Sequence, residues 1–220
     1  MSLNKLLLAF ITLCFINSLS AQSNFEGKIK IEIDAVHEKS VLDYYKKDNS
    51  ARIEIAGDQK GVMIFKPDKT IMIMPDNKVY MEFDGSLLDM AEKYGGKDVT
   101  GENLKDAYDE IDKYKTGESK VINGFKCEKF YKEDELNETE MWVTEELGKF
   151  LFMQNMDHGD SWMSEIANKN FFPMLVISKE KRSGKISRLE VTEVLEKSLD
   201  KDLFEAPEGY QKMSMPGMQE

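Results

Sequence analysis

The chain has 220 residues, of which 41% are hydrophobic and 32% charged, and its formal net charge at pH 7 is −11. This acidic balance argues against binding to nucleic acid or to anionic membrane surfaces, because both attract clusters of Lys and Arg. Acidic and basic residues are interspersed along the chain, which indicates an ordinary solvated surface.

The N-terminal segment has the pattern of a secretory signal peptide. Lys5 precedes an apolar run over residues 6–16, and small residues follow up to Ala21. The apolar run is only about half of the length that a bilayer-spanning helix needs. We therefore predict cleavage after Ser20 or Ala21, export to the periplasm or the extracellular space, and no stable membrane insertion afterwards. A retained membrane anchor is the alternative.

The first third of the mature chain carries strand signals. Residues 25–35 alternate strictly, with Ile29, Ile31 and Ile33 on one face and mostly charged residues on the other. Such alternation is typical of a half-buried antiparallel strand. Further strands are predicted over residues 52–55, 61–66, 70–74 and 78–83, with Pro-Asp turns between the last three runs.

The last two of these runs predict a hairpin with methionines on one face. If Asp76 and Asn77 form the loop, then Met74 lies opposite Val79, Met72 opposite Met81 and Thr70 opposite Phe83. Side chains that lie directly opposite in an antiparallel pair share a face of the sheet. The chain contains 14 methionines, and this hairpin places several of them together.

Helical spacing interrupts the strand pattern in two regions. One of the starts is Thr144, which is followed by two glutamates that suit the positive end of a helix dipole. Leu147, Phe150 and Leu151 would supply the apolar stripe of that helix. Helices are predicted over residues 86–94, 100–111, 144–151 and 161–167.

A second hairpin is predicted around Asn123-Gly124, because a type I′ turn needs positive φ at both central positions. This register places Ile122 opposite Phe125 and Lys120 opposite Cys127. Once the signal peptide is removed, Cys127 is the single thiol, and its apolar neighbours predict a buried, inert side chain. A redox or metal-binding cysteine is the alternative.

Together these signals predict an α+β fold with a curled antiparallel sheet of about 9–11 strands, forming an open half-barrel whose concave face is capped by helices. The remaining strands are expected over residues 140–144, 174–181 and 186–195. The predicted organisation is a signal peptide over residues 1–21, a single half-barrel domain over residues 22–212 and a disordered tail over residues 213–220.

No catalytic motif stands out, and only two histidines are present, so we expect a protein that is not an enzyme and has no cofactor or metal. A methionine-lined sheet face would suit a lipid-like small molecule. An envelope protein with a filled core that acts through an unidentified protein partner, and a Cu(I)-binding protein that uses its methionines, are the alternatives. The residues predicted to bind an apolar ligand are Met72, Met74, Val79, Met81, Phe83, Phe152 and Trp162.

Two stretches resemble an uncharacterised family of exported bacterial proteins. Residues 116–130, TGESKVINGFKCEKF, match a TGExKxINGxxCxKF hairpin, and residues 203–213, LFEAPEGYQKM, match an LFxxPxGYxxM ending. That family is similar in turn to the periplasmic outer-membrane lipoprotein carrier fold. The resemblance implies an open half-barrel with a hydrophobic cavity, in a protein that binds or carries lipid-like molecules.

Overall fold

A computed structural model describes residues 25–35, 38–56, 61–85, 111–151 and 169–214. Alternating apolar and polar residues dominate these ranges, and they form one sheet of 12 strands. The strands are β1 Gly27–Ala35, β2 Glu38–Lys47, β3 Ser50–Ala56, β4 Gly61–Phe65, β5 Lys69–Met74, β6 Val79–Asp84, β7 Lys115–Ile122, β8 Phe125–Glu133, β9 Asn137–Thr144, β10 Phe172–Glu180, β11 Ile186–Glu196 and β12 Gln211–Lys212.

The strand order across the sheet is β12-β6-β5-β4-β3-β2-β1-β11-β10-β9-β8-β7. Strands β1–β6 and β7–β11 are two antiparallel meanders, and they join where β1 pairs with β11. The short strand β12 is the exception, since it runs parallel to β6 at one edge. The first strand of the domain therefore lies in the middle of the sheet.

The sheet curls strongly towards one face. Tyr44 in β2 and Phe172 in β10 have ring centroids 5.4 Å apart, although β1 and β11 lie between their strands. Three strand spacings would separate these positions by about 14 Å in a flat sheet. Contact between the two rings shows that they lie on the concave face.

Each face of the sheet has its own hydrophobic core. Because directly paired residues share a face, the strand registers place the larger core on the concave face. The smaller core lies on the convex face of β4 and β5, where part of the chain after β11 covers it. The concave core includes Ile29, Ile31, Leu42, Tyr44, Ile53, Phe65, Met141 and Val176, and the convex core comprises Val62, Ile64, Ile71, Ile73, Leu199 and Phe204.

The predicted α+β class with helices capping the concave face is wrong. Most of the described residues are in strands, and their helical elements are 3-10 turns of three or four residues at Pro75–Asn77, Ile111–Tyr114 and Lys201–Phe204. The helix segments predicted over residues 86–94 and 161–167, and most of the one over residues 100–111, lie outside the described residues.

The helix predicted from Thr144 to Leu151 does not form. Gly148 adopts a φ of 73°, a left-handed conformation that ends helical geometry. The backbone N–H groups of the segment bond across the fold instead: Phe150 N donates to Phe171 O at 3.3 Å, and Leu151 N donates to the Tyr44 hydroxyl oxygen at 3.3 Å. Leu147 and Phe150 are buried as predicted, but from an irregular chain.

Both predicted hairpin registers are confirmed. Met72 pairs with Met81 across β5 and β6, and Lys120 pairs with Cys127 across β7 and β8. Strands β2 and β12 were not predicted. Residues 1–24 and 215–220, which include the predicted signal peptide and most of the predicted tail, lie outside the described residues. Among the described residues, the structure contains no helix long and apolar enough to cross a bilayer.

Candidate functional site

Five apolar side chains form a continuous half-buried area on the concave face of β4, β5 and β6. We call this area the methionine strip. Met72 lies between its neighbours, with Met63 opposite on one side and Met81 opposite on the other. None of the five is fully buried, in contrast to Ile29, Tyr44 and Ile53 further along the same face. The strip consists of Met63, Met72, Met74, Val79 and Met81.

The turn between β5 and β6 fixes the register of the strip. Pro75–Asn77 form a single 3-10 turn, and Lys78 follows in a left-handed conformation with φ 51°. The Lys78 N–H closes the turn by donating to Pro75 O at 3.1 Å. A register shift of one residue would move the methionines to the other face of the sheet, so this turn is needed to assemble the strip.

A buried edge borders the strip on the same face. Phe65, Thr70 and Phe83 are paired neighbours across β4, β5 and β6, and each is at most 4% exposed. The Thr70 hydroxyl donates to Gly85 O at 3.1 Å, which satisfies its hydrogen-bonding capacity as a donor. The strip is therefore a partly exposed extension of the buried apolar core on the concave face.

The convex side of the same strands is sealed by the segment that follows β11. Leu199 and Phe204 from this segment pack against Val62, Ile64, Ile71 and Ile73. Ile71 and Ile73 alternate along β5 with the strip residues Met72 and Met74. The two faces of β5 thus differ: the chain itself covers the convex face, while the concave face presents half-buried thioethers.

Polar contacts hold this C-terminal segment in place. Lys47 Nζ donates to Leu199 O at 2.6 Å, and Leu199 N donates to Glu26 Oε1 at 2.5 Å. The same carboxylate oxygen forms an ion pair with Lys47 Nζ at 2.6 Å. The hydrogen bond from Lys47 and the backbone N–H of Leu199 together lower the pKa of Glu26 below its ordinary value. Further along, Arg52 Nη1 donates to Leu203 O at 3.0 Å.

A lysine is buried on the concave face of β2, two strands away from β4 and the strip. Lys46 is only 6% exposed, and it pairs with Gly27 on one side and with Ala51 on the other. Its Nζ lies 3.5 Å from Phe25 O. Burial lowers the pKa of the Lys46 ammonium, and the charge of Asp48 partly opposes that shift.

The structure brings together five of the seven predicted site residues. Met72, Met74, Val79, Met81 and Phe83 share the concave face in the predicted register. Phe152 and Trp162 lie outside the described residues. Met63 and Lys46 were not predicted as site residues. The alternation of Met63 with Val62 and Ile64 could have identified the first, whereas a lysine gives no sequence signal of burial.

Cys127 is buried, as predicted, and it is a free thiol. Its Sγ donates to Phe125 O at 3.4 Å. Burial is the main cause that raises the pKa of this thiol above its ordinary value, so little reactive thiolate forms near neutral pH. Among the described residues there is no group of three or more His, Cys, Asp or Glu side chains that could hold a metal ion.

Solved structures with very different sequences align with much of this chain. An uncharacterised conserved protein from Thermus thermophilus superimposes with a TM-score of 0.51 at 8% identity, over 92% of this chain and 98% of that chain. A structure of PNGF-II gives a TM-score of 0.44 at 12% identity, over 87% of this chain and 31% of that one. A domain from Vibrio parahaemolyticus, provisionally described as an outer membrane lipoprotein-sorting protein domain, gives 0.32 at 9% identity, over 84% and 90%.

At the level of sequence, no curated protein matches significantly. Residues 25–210 match a family model described as a domain of unknown function. The match begins two residues before β1 and ends just before β12, so it takes in both meanders and the segment that seals the convex face. The chain therefore belongs to the DUF4412 family.

Proposed function

We propose that the protein binds an apolar, lipid-like molecule on the methionine strip, and that it acts by binding rather than by catalysis in an exported location. The observation that carries this proposal is the asymmetry of β5. Its convex face is covered by the chain, whereas Met72 and Met74 on its concave face are only half-buried.

Physical chemistry supports an apolar ligand at this place. Half-buried apolar side chains that lie contiguously on a concave surface favour contact with another apolar surface. Methionine is unbranched and polarisable, so a methionine-lined surface can adapt to flexible ligands such as acyl chains. The strip also continues into the closed concave core, which gives it a rigid support.

The test uses the neutral fluorescent probe N-phenyl-1-naphthylamine with Met81→Asp. A carboxylate in the strip should abolish the rise in probe fluorescence that the native protein gives, because a charge is strongly disfavoured at an apolar contact. Val121→Asp is the matched control, since Val121 is 70% exposed at the β7 edge. Circular dichroism would verify that both variants fold. Unchanged probe binding by folded Met81→Asp would contradict the proposal.

A second candidate, Cu(I) binding, is favoured by one observation. Met63, Met72 and Met81 form an unbroken row across three strands, and Cβ atoms of directly opposite residues are about 5 Å apart. Thioethers are soft ligands that select Cu(I). Met72→Leu separates the two candidates: it should weaken Cu(I) affinity, measured by competition with bicinchoninate, and leave binding of the neutral probe intact. An unchanged Cu(I) affinity of Met72→Leu, with probe binding intact, would favour the apolar ligand alone.

A further inference from the structure

Lys46 is an unusual residue to find on the concave face. Its row across the sheet runs Gly27, Lys46, Ala51, Phe65, Thr70 and Phe83, and the other members are small, aromatic or already hydrogen-bonded. An ammonium buried among such neighbours loses its hydration, and proteins normally compensate that loss with a paired anion.

The described residues supply little of that compensation. An ammonium has three donors, and the Phe25 carbonyl oxygen accepts one of them at the long distance of 3.5 Å. Among the described residues no carboxylate oxygen lies within ion-pair distance of Lys46 Nζ, although Lys28, Lys39, Lys47 and Lys129 all have such partners. As far as the described residues go, the side chain of Lys46 is thus buried with unused hydrogen-bond donors.

The neighbour of Lys46 on β1 is a closely packed glycine, at which a Cβ would lie 2.2 Å from Leu195 O. Gly27 has no side chain, and the Phe25 ring fills the space above it, since a Cβ at Gly27 would lie 2.9 Å from Phe25 Cζ. Met63 is the strip residue nearest to Lys46, and it is separated from Lys46 by one two-residue step along the strands, about 7 Å, and by the two strand spacings from β2 to β4, about 10 Å. A ligand whose chain occupies the strip must therefore extend about 12 Å across β3 to place its other end at Lys46, a distance that a long acyl chain can span.

We propose that Lys46 binds the anionic headgroup of the ligand whose apolar chain occupies the methionine strip. The ligand class is an acyl or alkyl chain that ends in a carboxylate or a phosphate group. The proposal rests on the proposed function, because it assigns the polar end of the same ligand. The lowered pKa of Lys46 is consistent with it, since a bound anion would supply the favourable interaction that burial removes.

The test compares palmitate, hexadecyl phosphate and 1-hexadecanol as competitors for N-phenyl-1-naphthylamine on the delipidated protein. The wild type should bind at least one of the two anions about 10- to 100-fold more tightly than the alcohol, as expected for hydrogen bonds to a charged group. The identity of the preferred anion distinguishes a carboxylate from a phosphate headgroup. Lys46→Met should remove this preference and leave binding of 1-hexadecanol unchanged.

Two further variants complete the design. Lys30→Met makes the same change of charge on β1, on the face opposite to the strip, and should keep the preference for the anion. Lys46→Arg retains the positive charge and should keep most of the preference for the anion. Because Lys46→Met buries no charge, its midpoint of urea unfolding should equal or exceed that of the wild type.

The outcomes separate the two proposals. If none of the three competitors displaces the probe, the strip does not bind such ligands, and the proposed function fails together with the role of Lys46. If 1-hexadecanol binds as tightly as both anions, only the role of Lys46 fails. A lower unfolding midpoint of Lys46→Met with an unchanged preference for the anion would show that the residue is structural, and would also overturn the inference.

Discussion

At the scale of single residues, the properties of the β7–β8 hairpin follow from a few side chains. Asn123 and Gly124 have φ values of 50° and 89°, which is the type I′ geometry that the Asn-Gly dipeptide predicts. Asn123 has a second role, because its Nδ2 donates to Val191 O at 2.7 Å. The hairpin tip is thereby fixed to β11, three strands away in the sheet.

These two roles of Asn123 can be separated by substitution. Asn123→Gly keeps the left-handed turn but removes the hydrogen bond to Val191, and it should lower the free energy of unfolding by about 1 kcal/mol. Asn123→Ala removes the same hydrogen bond and also puts at positive φ a residue that tolerates this conformation less well than Asn or Gly, which should raise the loss to about 2 kcal/mol. Urea unfolding measures both. Equal stability of the two variants would show that the turn carries no strain.

Cys127 is expected to be unreactive in the native protein. Its thiol is fully buried and its pKa is raised by burial, so reaction requires local or global opening of the fold. At about pH 8, modification by Ellman's reagent should be at least about 100-fold slower in the native protein than in urea. The rate is followed at the absorbance of the released thiolate, with Cys127→Ser as the blank. Rapid reaction of the native protein would contradict this prediction and support the alternative that Cys127 is a redox cysteine.

At the scale of elements, local signals determined how much could be predicted. The hairpins β5–β6 and β7–β8 depend on turn residues and alternation within about ten residues, so their registers were predicted correctly. The segment after Thr144 has helical spacing, but its backbone bonds to Tyr44 and Phe171, which are distant in sequence. Tertiary contacts therefore overrode the local pattern there.

The difference between local signals and tertiary contacts also explains which residues of the candidate site could be predicted. Met72 and Met81 face each other because of one turn, which the sequence shows directly. Lys46 becomes part of the site only through the pairing of β2 with β1 and β3. Strand β2 carries apolar residues on both faces and ends in Lys46-Lys47, so it lacks the alternation that identifies a half-buried strand.

The C-terminal segment is predicted to be a major source of stability. Phe204 is 4% exposed and packs against the convex face of β4 and β5. Phe204→Ala should lower the free energy of unfolding by about 3 kcal/mol, because it removes a buried ring and leaves a cavity. Met213→Ala is the control, since Met213 is 45% exposed and should cost less than about 0.5 kcal/mol. A loss below about 1 kcal/mol for Phe204→Ala would mean that the segment is only loosely attached.

At the scale of the whole molecule, stability should depend on carboxylates that the fold holds in the charged form. The hydrogen bond from Lys47 lowers the pKa of Glu26, and the backbone N–H groups of Asn137 and Leu136 lower that of Asp134. A carboxylate with a lowered pKa in the folded state stabilises the protein above its unfolded pKa, and this contribution is lost as the pH falls through the folded pKa.

We therefore expect these two carboxylates to have no effect on the pH dependence of the thermal unfolding midpoint between about pH 6 and pH 8. Below about pH 4.5 their protonation should lower the midpoint. Thermal unfolding at several pH values measures this profile. Glu26→Gln should reduce the difference between the midpoints at about pH 6 and pH 3, because it removes one of the titrating groups. A midpoint that stays constant down to about pH 3 would contradict the assignment.

The central position of β1 has a consequence for the order in which the chain folds. Ile29, near the start of the domain, pairs with Val194, near its end. During synthesis, β1 can pair with β2 early, but its other edge must stay open until β11 has emerged. Long-range pairing of this kind slows folding and exposes an unpaired strand edge to other chains. A nascent or truncated chain that ends before β11 should therefore aggregate, whereas the complete chain buries that edge in the middle of its sheet.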